Sequence, residues 1–200
     1  MDSDFWDSRF SSEDYIYGLE PNAHLVSAAR YLKPGSRILV PGDGEGRNGV
    51  WLAGRGMDVL SVDGSPAGLA KARKLAQSRG VTIATQQADL LNWQWPIAAF
   101  DAVVSIFLHF VPDDRKKIHA AMVSALRSGG ILIFEVFAPE QLAFSSGGPK
   151  DLALLCRADD LRADFASLEI LALDEAEVVL DEGSFHQGKA AVVRMVARKP

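Results

Sequence analysis

Cysteine is nearly missing from this 200-residue chain. Cys156 stands alone, so no intramolecular disulfide can form, and a reducing, cytoplasmic setting is expected. An excess of positive charge is also lacking. With 21 Lys and Arg against 26 Asp and Glu, the net charge is −5, which argues against a nucleic-acid backbone as the main partner. No apolar run approaches the roughly 20 residues needed to span a bilayer, so no membrane partner is expected. The first residues (Asp4, Phe5, Trp6, Asp7) lack the basic start of a secretory signal. The histidines have no short ligand spacing and no carboxylate cluster follows the fourth strand-like run, so no metal site is expected. Arg115-Lys116-Lys117 and Lys71 with Arg73-Lys74 are read as solvated helix faces. What remains is ordinary for a globular chain, 48% hydrophobic and 24% charged. One domain over residues 1–200 with a substantial core is expected.

The informative stretch runs from Ile38 to Asn48, reading I-L-V-P-G-D-G-E-G-R-N. A short apolar run stops at Pro41, glycines follow at 42, 44 and 46, and an amphipathic stretch starts at once with Val50, Trp51, Leu52 and Ala53. This is the order strand, glycine loop, helix N-terminus. Bare glycines let a ligand lie against backbone amides, with the helix dipole behind them. One strand later Leu60-Ser61-Val62-Asp63 ends in an acid, about 20 residues past the loop, where a doubly wound sheet offers a carboxylate to a ribose diol. An adenosine-containing cofactor is expected. Gly44, Gly46 and Gly49 also satisfy G-x-G-x-x-G, so an NAD(P)-binding oxidoreductase is the competing reading. Against it, the run starts directly after the strand as G-x-G-x-G, and no Tyr-x-x-x-Lys pair follows.

Strand-like runs at 37–40, 57–62, 81–86, 102–108 and 131–137 alternate with stretches of helical spacing at 46–54, 66–79 and 113–126. A further helix is expected at 22–32. Such alternation predicts an α/β fold, a Rossmann-like, doubly wound and mostly parallel sheet with helices on both faces. Pro66 suits a helix start, where its missing N–H costs nothing. Asp113 or Asp114 is expected to cap the next helix and Gly129-Gly130 to end it. Runs at 168–180 and 190–197 flank a segment rich in turn residues, which predicts an antiparallel hairpin at one sheet edge. Residues 144–149, with Gly147 and Gly148, are the expected mobile loop.

The chain resembles the class I S-adenosylmethionine-dependent methyltransferases, and within them the small bacterial group that includes the tellurite-resistance enzymes. The resemblance rests on G-D-G-E-G-R-N, Val62-Asp63-Gly64-Ser65, Ala88-Asp89-Leu90, Phe100-Asp101-Ala102-Val103 and Leu126-Arg127-Ser128-Gly129-Gly130. The N-terminal F-W-D-S-R-F and Y-I-Y-G-L-E-P-N segments and the late E-G-S-F-H-Q-G stretch resemble the same group. The resemblance implies S-adenosylmethionine as cofactor, a small-molecule methyl acceptor and strand order 3-2-1-4-5-7-6. It implies a lid and helix over 1–33, a cofactor-binding core over 34–137 and an acceptor-side loop, helix and hairpin over 138–200. A non-catalytic module that kept the cofactor site is a further alternative, and nothing in the sequence signals an oligomeric state. Two absences narrow the class. Arsenic-methylating relatives use several thiols, and amino-methylating DNA enzymes carry an Asn/Asp-Pro-Pro-Tyr stretch; neither is present.

By this reading Gly42, Gly44 and Gly46, with Arg47 and Asn48, hold the methionine part of the cofactor. Asp63, followed by Gly64 and Ser65, accepts the ribose hydroxyls or else caps the helix at Pro66. Asp89 with Leu90 faces the adenine or merely shapes a turn. Ser105 and Phe107 flank the sulfonium or are simply buried strand. Related enzymes commonly carry an acid where this chain has Val40, so Asp43 either meets the cofactor ammonium or points to solvent. His109, just beyond the fourth strand, is the candidate general base, and His186 a candidate for the acceptor pocket. Tyr17, with Tyr15 and Trp6, forms a lid with cation–π contact to the sulfonium, an aromatic clasp over the core, or both. His24 and His119, in helical contexts, are expected to pack or face solvent.

Overall fold

The computed structural model describes residues 3–200 of the chain. Its centre is a seven-stranded sheet in the order β3-β2-β1-β4-β5-β7-β6, the order that the resemblance implied. Strands β1 (Arg37–Pro41), β2 (Asp58–Asp63), β3 (Ala84–Gln87), β4 (Phe100–Ile106) and β5 (Leu126–Phe137) run parallel. Strands β6 (Glu169–Asp181) and β7 (Gln187–Arg198) close one side as an antiparallel hairpin, with β7 paired to β5.

The apolar runs are near-continuous because both faces of the sheet are covered. Successive side chains point to opposite faces, so β1 divides its residues between two layers. Ile38 and Val40 join Leu25 of α2 (Ala23–Ala28) and Leu52 of α3 (Arg47–Gly54). Leu39 joins Ile118 and Met122 of α5 (Pro112–Ala125) and Leu161 of α6 (Ala158–Asp164). Ile38, Leu39 and Val40 are at most 2% exposed, and burying such side chains stabilises by about 1.5–3 kcal/mol each. The remaining helices are α4 (Pro66–Ser78), which packs against β2 and β3, and α1 (Ser3–Phe10), which lies on α4. On the outer strand, β6 carries exposed Asp174, Glu175 and Glu177, charges that discourage pairing with another chain.

Tertiary packing corrects four local expectations. Helix α5 ends at Ala125, and Gly129-Gly130 lie inside β5. Gly129 takes φ +76°, and the β4–β5 register shifts between Phe100 and Ala102, so the glycines serve an irregular strand start, not a helix cap. Asp113 and Asp114 sit in the first turn of α5, whose N-cap is Val111 with no side-chain bond; they act on the helix dipole instead. Arg115 is buried, bonded to Asp164 at 2.8 Å and Asp160 at 3.3 Å, and Lys71 pairs with Glu45 at 2.5 Å, so neither is a solvated charge. The 144–149 segment is tied down. Ser146 donates to the Lys189 carbonyl at 2.5 Å, and Gln141 donates to Ser146 and to the Gly147 carbonyl, each at 3.0 Å.

Candidate active site

The glycine loop follows β1 at the carboxyl end of the sheet, and its glycines at 42, 44 and 46 take φ of +68°, +54° and +87°. A side chain is strained at such angles. At Gly46 a Cβ would also lie 2.8 Å from the Ala72 Cα of α4, and at Gly42 it would lie 2.8 Å from Leu108. Close approach of α3 to α4 therefore requires bare backbone here.

Asp63 ends β2 beside this loop. It accepts from the Gly44 amide through Oδ2 and from the Ser65 amide through Oδ1, both at 2.8 Å. The cap of α4 is Ser65, whose Oγ accepts from the Gly68 amide at 3.0 Å. Asp63 thus ties the glycine loop to the start of α4. A carboxylate has roughly four acceptor sites, so lone pairs remain for a further donor. Burial raises its pKa, and the amides of Ser65, Gly44 and Gly64 oppose that.

Asp43 turns inward, not to solvent. Its Oδ2 accepts from Ser61 Oγ at 2.5 Å and its Oδ1 from the Gly49 amide at 3.2 Å. Burial raises its pKa to about 7 against the pull of those two bonds. Gly49 must be glycine because a Cβ there would overlap both Asp43 and Ser61. Asp89 is exposed and engaged with its own turn, accepting from the Leu91 amide at 3.1 Å and from Asn92 at 2.6 Å, while Leu90 is buried.

Beyond β4 the residues singled out for chemistry come together. Phe107 takes φ +54°, a left-handed conformation that costs a non-glycine residue about 1–3 kcal/mol. Its amide donates to the Glu135 carbonyl at 2.7 Å, which holds the turn. The Phe107 ring stacks on Phe137 at 4.4 Å and meets His186 edge-on at 4.8 Å. Tyr17 lies 4.6 Å from His186, within an aromatic clasp that includes Trp6, Phe10 and Phe185. His109 stacks on Phe137 at 5.6 Å, and its Nδ1 lies 2.9 Å from the Leu154 carbonyl. Burial lowers its pKa to about 4, so the ring is neutral. His109 Nε2 and Ser105 Oγ are buried without a partner among the described residues. Burying a polar group without a partner costs about 1–3 kcal/mol.

An ionic network that the sequence did not reveal joins the loop to this wall. Arg47 Nη2 meets Glu182 Oε2 at 2.7 Å, Asn22 donates to Glu182 Oε1 at 3.0 Å, and His186 Nδ1 lies 3.4 Å from Oε2. Arg47 Nη1 is buried without a partner among the described residues. Asn48 Oδ1 accepts from the Asn22 amide at 3.0 Å, which anchors the start of α2. The signal for each partner was only its place in a motif: Glu182 in E-G-S-F-H-Q-G, Asn22 in Y-I-Y-G-L-E-P-N and Glu45 in G-D-G-E-G-R-N. From α1, Asp7 accepts from Ser65 Oγ at 2.7 Å and from the Ala67 amide at 2.8 Å. Phe10 lies over the loop, its ring 3.0 Å from where a Gly44 Cβ would be. His24 and His119 are packing residues, the latter bonded to Asp164 at 2.9 Å and stacked on Phe165.

The residues present fit an adenosyl sulfonium cofactor. The loop is bare backbone, Asp63 keeps lone pairs, and the orphaned Arg47 nitrogen suits a carboxylate. Among the described residues, no group of three or more His, Cys, Asp or Glu is placed to hold a metal, and no helix is long and apolar enough to cross a membrane. The sheet order is that of the α/β methyltransferase fold. A family model described as a methyltransferase domain matches residues 38–130. A glycine/sarcosine N-methyltransferase of Halorhodospira halochloris is 34% identical over 138 residues, 65% of this chain and 47% of that one. The solved structure of TehB from Haemophilus influenzae superposes with a TM-score of 0.72 at 20% identity, over 99% of this chain and 67% of that one. A structure from work on the conversion of a disulfide bond into a thioacetal group during echinomycin biosynthesis gives 0.78 at 23% identity, over 98% and 92%. Residues 38–130 thus match a methyltransferase domain, the sheet has the strand order of the α/β methyltransferase fold, and the oxidoreductase alternative gains no support. It spans about half the length of several of the curated relatives it matches.

Proposed function

We propose that the protein binds S-adenosylmethionine over the glycine loop and transfers its methyl group in line to a small-molecule acceptor, in the cytoplasm. The observation that carries this reading is the adjacency of two half-sites. The loop at 42–46 with Asp63 forms one, and the wall of Phe107, His109, His186 and Tyr17 forms the other, with Leu108 packed on Gly42 between them. Asp63 serves the ribose hydroxyls, Gly64, Ser65, Asp89 and Leu90 the adenine side, and Arg47 with the loop amides the methionine end. Asn48 supports the loop from behind. Ser105 and Phe107 line the approach to the sulfonium, and α1 with Phe10 and Tyr17 covers it.

Once bound, the cofactor supplies a methyl group on a sulfonium, an electrophile that asks the protein mainly for alignment and exclusion of water. The chain's aromatic wall does both. Calorimetric titration with S-adenosylmethionine, S-adenosylhomocysteine and NAD tests the first half-site; NAD binding without affinity for either sulfur ligand would overturn the reading. Turnover of a labelled cofactor across thiols, phenols and amines tests the second, and binding without transfer to any acceptor would leave a cofactor-binding module.

A further inference from the structure

Two imidazoles flank Phe137, His109 against its face and His186 edge-on at 5.4 Å. Both are anchored through Nδ1. The Leu154 carbonyl can only accept, so His109 carries its hydrogen on Nδ1 and presents a bare Nε2 lone pair. That lone pair has no partner among the described residues. This wall is short of a hydrogen, so it suits a ligand that brings one.

His186 faces a carboxylate instead. Burial pushes the Glu182 pKa up, but His186 and Arg47 outweigh it and hold Glu182 at about 2. Glu182 is therefore an anion at neutral pH, and the hydrogen between it and His186 belongs to Nδ1. The hairpin turn fixes both residues, since the Glu182 amide donates to the His186 carbonyl at 2.9 Å. Gly147 leaves the ring its room, because a Cβ there would lie 2.7 Å from His186 Cδ2.

We propose that Glu182 is a positioning residue, which holds His186 with Nε2 unprotonated and stabilises the imidazolium formed when Nε2 takes the proton of a protic methyl acceptor. The acceptor class is then a thiol, phenol or amine that still carries a proton, and this rests on the methyltransferase reading above. In that step the nucleophile–hydrogen bond breaks and its electron pair stays on the nucleophile. The proton forms the Nε2–H bond and later leaves to water. Of the two imidazoles, His186 takes this part because its cation would meet a carboxylate. A His109 cation would meet only a carbonyl. The groups around His186 are Glu182 from the hairpin turn, Arg47 from α3, Arg9 from α1, Tyr17 and His109. Burial and the two arginines disfavour its cation, and Glu182 is the group that favours it.

The test uses the full chain labelled with 15N-histidine, read by NMR. The wild type is expected to carry the His186 hydrogen on Nδ1; finding it on Nε2 overturns the proposal without need of a variant. In Glu182→Gln the His186 pKa is expected to fall further, because Arg47 and Arg9 then act unopposed. An unchanged value, or a rise toward that of ordinary histidine, would show that Glu182 merely packs the turn. With S-adenosylmethionine and matched acceptors, transfer to protic nucleophiles is expected, with kcat in Glu182→Gln down roughly tenfold or more and KM little changed. Transfer confined to thioethers or tertiary amines overturns it. Loss of S-adenosylhomocysteine binding by the wild type would sink the methyltransferase reading instead, and calorimetry separates the two failures.

Discussion

Replacing Asp43 by Asn separates a buried acid from a cofactor ligand. Asp43 is 7% exposed, and both its oxygens are engaged within the loop, by Ser61 and by Gly49. Its pKa rises from 3.8 to about 7, chiefly through burial. Between those values the folded protein holds a proton that the unfolded chain has released. The stability contributed by this group is therefore complete below about pH 4 and lost as pH rises to about 7. Some three pH units at about 1.4 kcal/mol each give roughly 4 kcal/mol as an upper bound. Asn keeps the size, accepts from the Gly49 amide, donates to Ser61 Oγ and never ionises. Relative to wild type, Asp43→Asn should therefore gain about 2–4 kcal/mol between pH 4.5 and pH 8. Urea unfolding of both proteins at the two pH values measures this, and other titrating groups cancel in the difference. A mutational effect that is the same at both pH values refutes the reasoning. Cofactor binding gives an independent check. With the carboxylate committed to the loop, S-adenosylmethionine and adenosine should weaken alike. A selective loss of roughly tenfold for S-adenosylmethionine would place Asp43 on the ammonium.

Asp63→Ala should lower S-adenosylmethionine affinity at least about tenfold and also destabilise the apoprotein, since the Gly44 and Ser65 amides each lose an acceptor worth roughly 1–3 kcal/mol. Calorimetry and unfolding read the two effects, and unchanged affinity in a folded variant would remove Asp63 from the ribose. Gly46→Ala should cost about 2–4 kcal/mol through its left-handed backbone and its collision with Ala72, and a thermal midpoint equal to wild type would contradict that geometry. Asp164→Ala leaves Arg115 and His119 buried without their shared carboxylate, so a loss of about 3–5 kcal/mol is expected in denaturant unfolding. A loss below about 1 kcal/mol would mean that water replaces the pair.

Much of the scaffold was legible because it is local in origin. The apolar runs at 37–40 and 131–137 became β1 and the later part of β5, and Pro66 stands at the first position of α4 as its chemistry requires. The hairpin followed from turn residues between two strand-like runs. Where prediction failed, a residue had two competing uses. Gly129-Gly130 reads as a helix stop, yet the pairing of β5 with β4 and β7 drew the chain into a strand at Leu126. Arg115 looked solvated because its partners, Asp160 and Asp164, lie more than 40 residues away in α6.

Local signals were enough to specify a doubly wound sheet with a cofactor loop at its carboxyl end: a glycine loop after one strand, an acid after the next, and strand-like runs alternating with helical ones. Each of those signals is only a few residues long, and backbone sterics turn it directly into local shape. How the side chains are used was settled by packing between distant segments. It turned Asp43 inward onto Ser61 and Gly49 and gave the cap of α4 to Ser65, leaving Asp63 to join the loop to the helix. It also brought Glu182 135 residues along the chain to Arg47, and so set the hydrogen of His186. The reason is physical: hydrogen bonds and ion pairs inside a core depend on which groups burial leaves without water, and that is fixed only when distant segments pack.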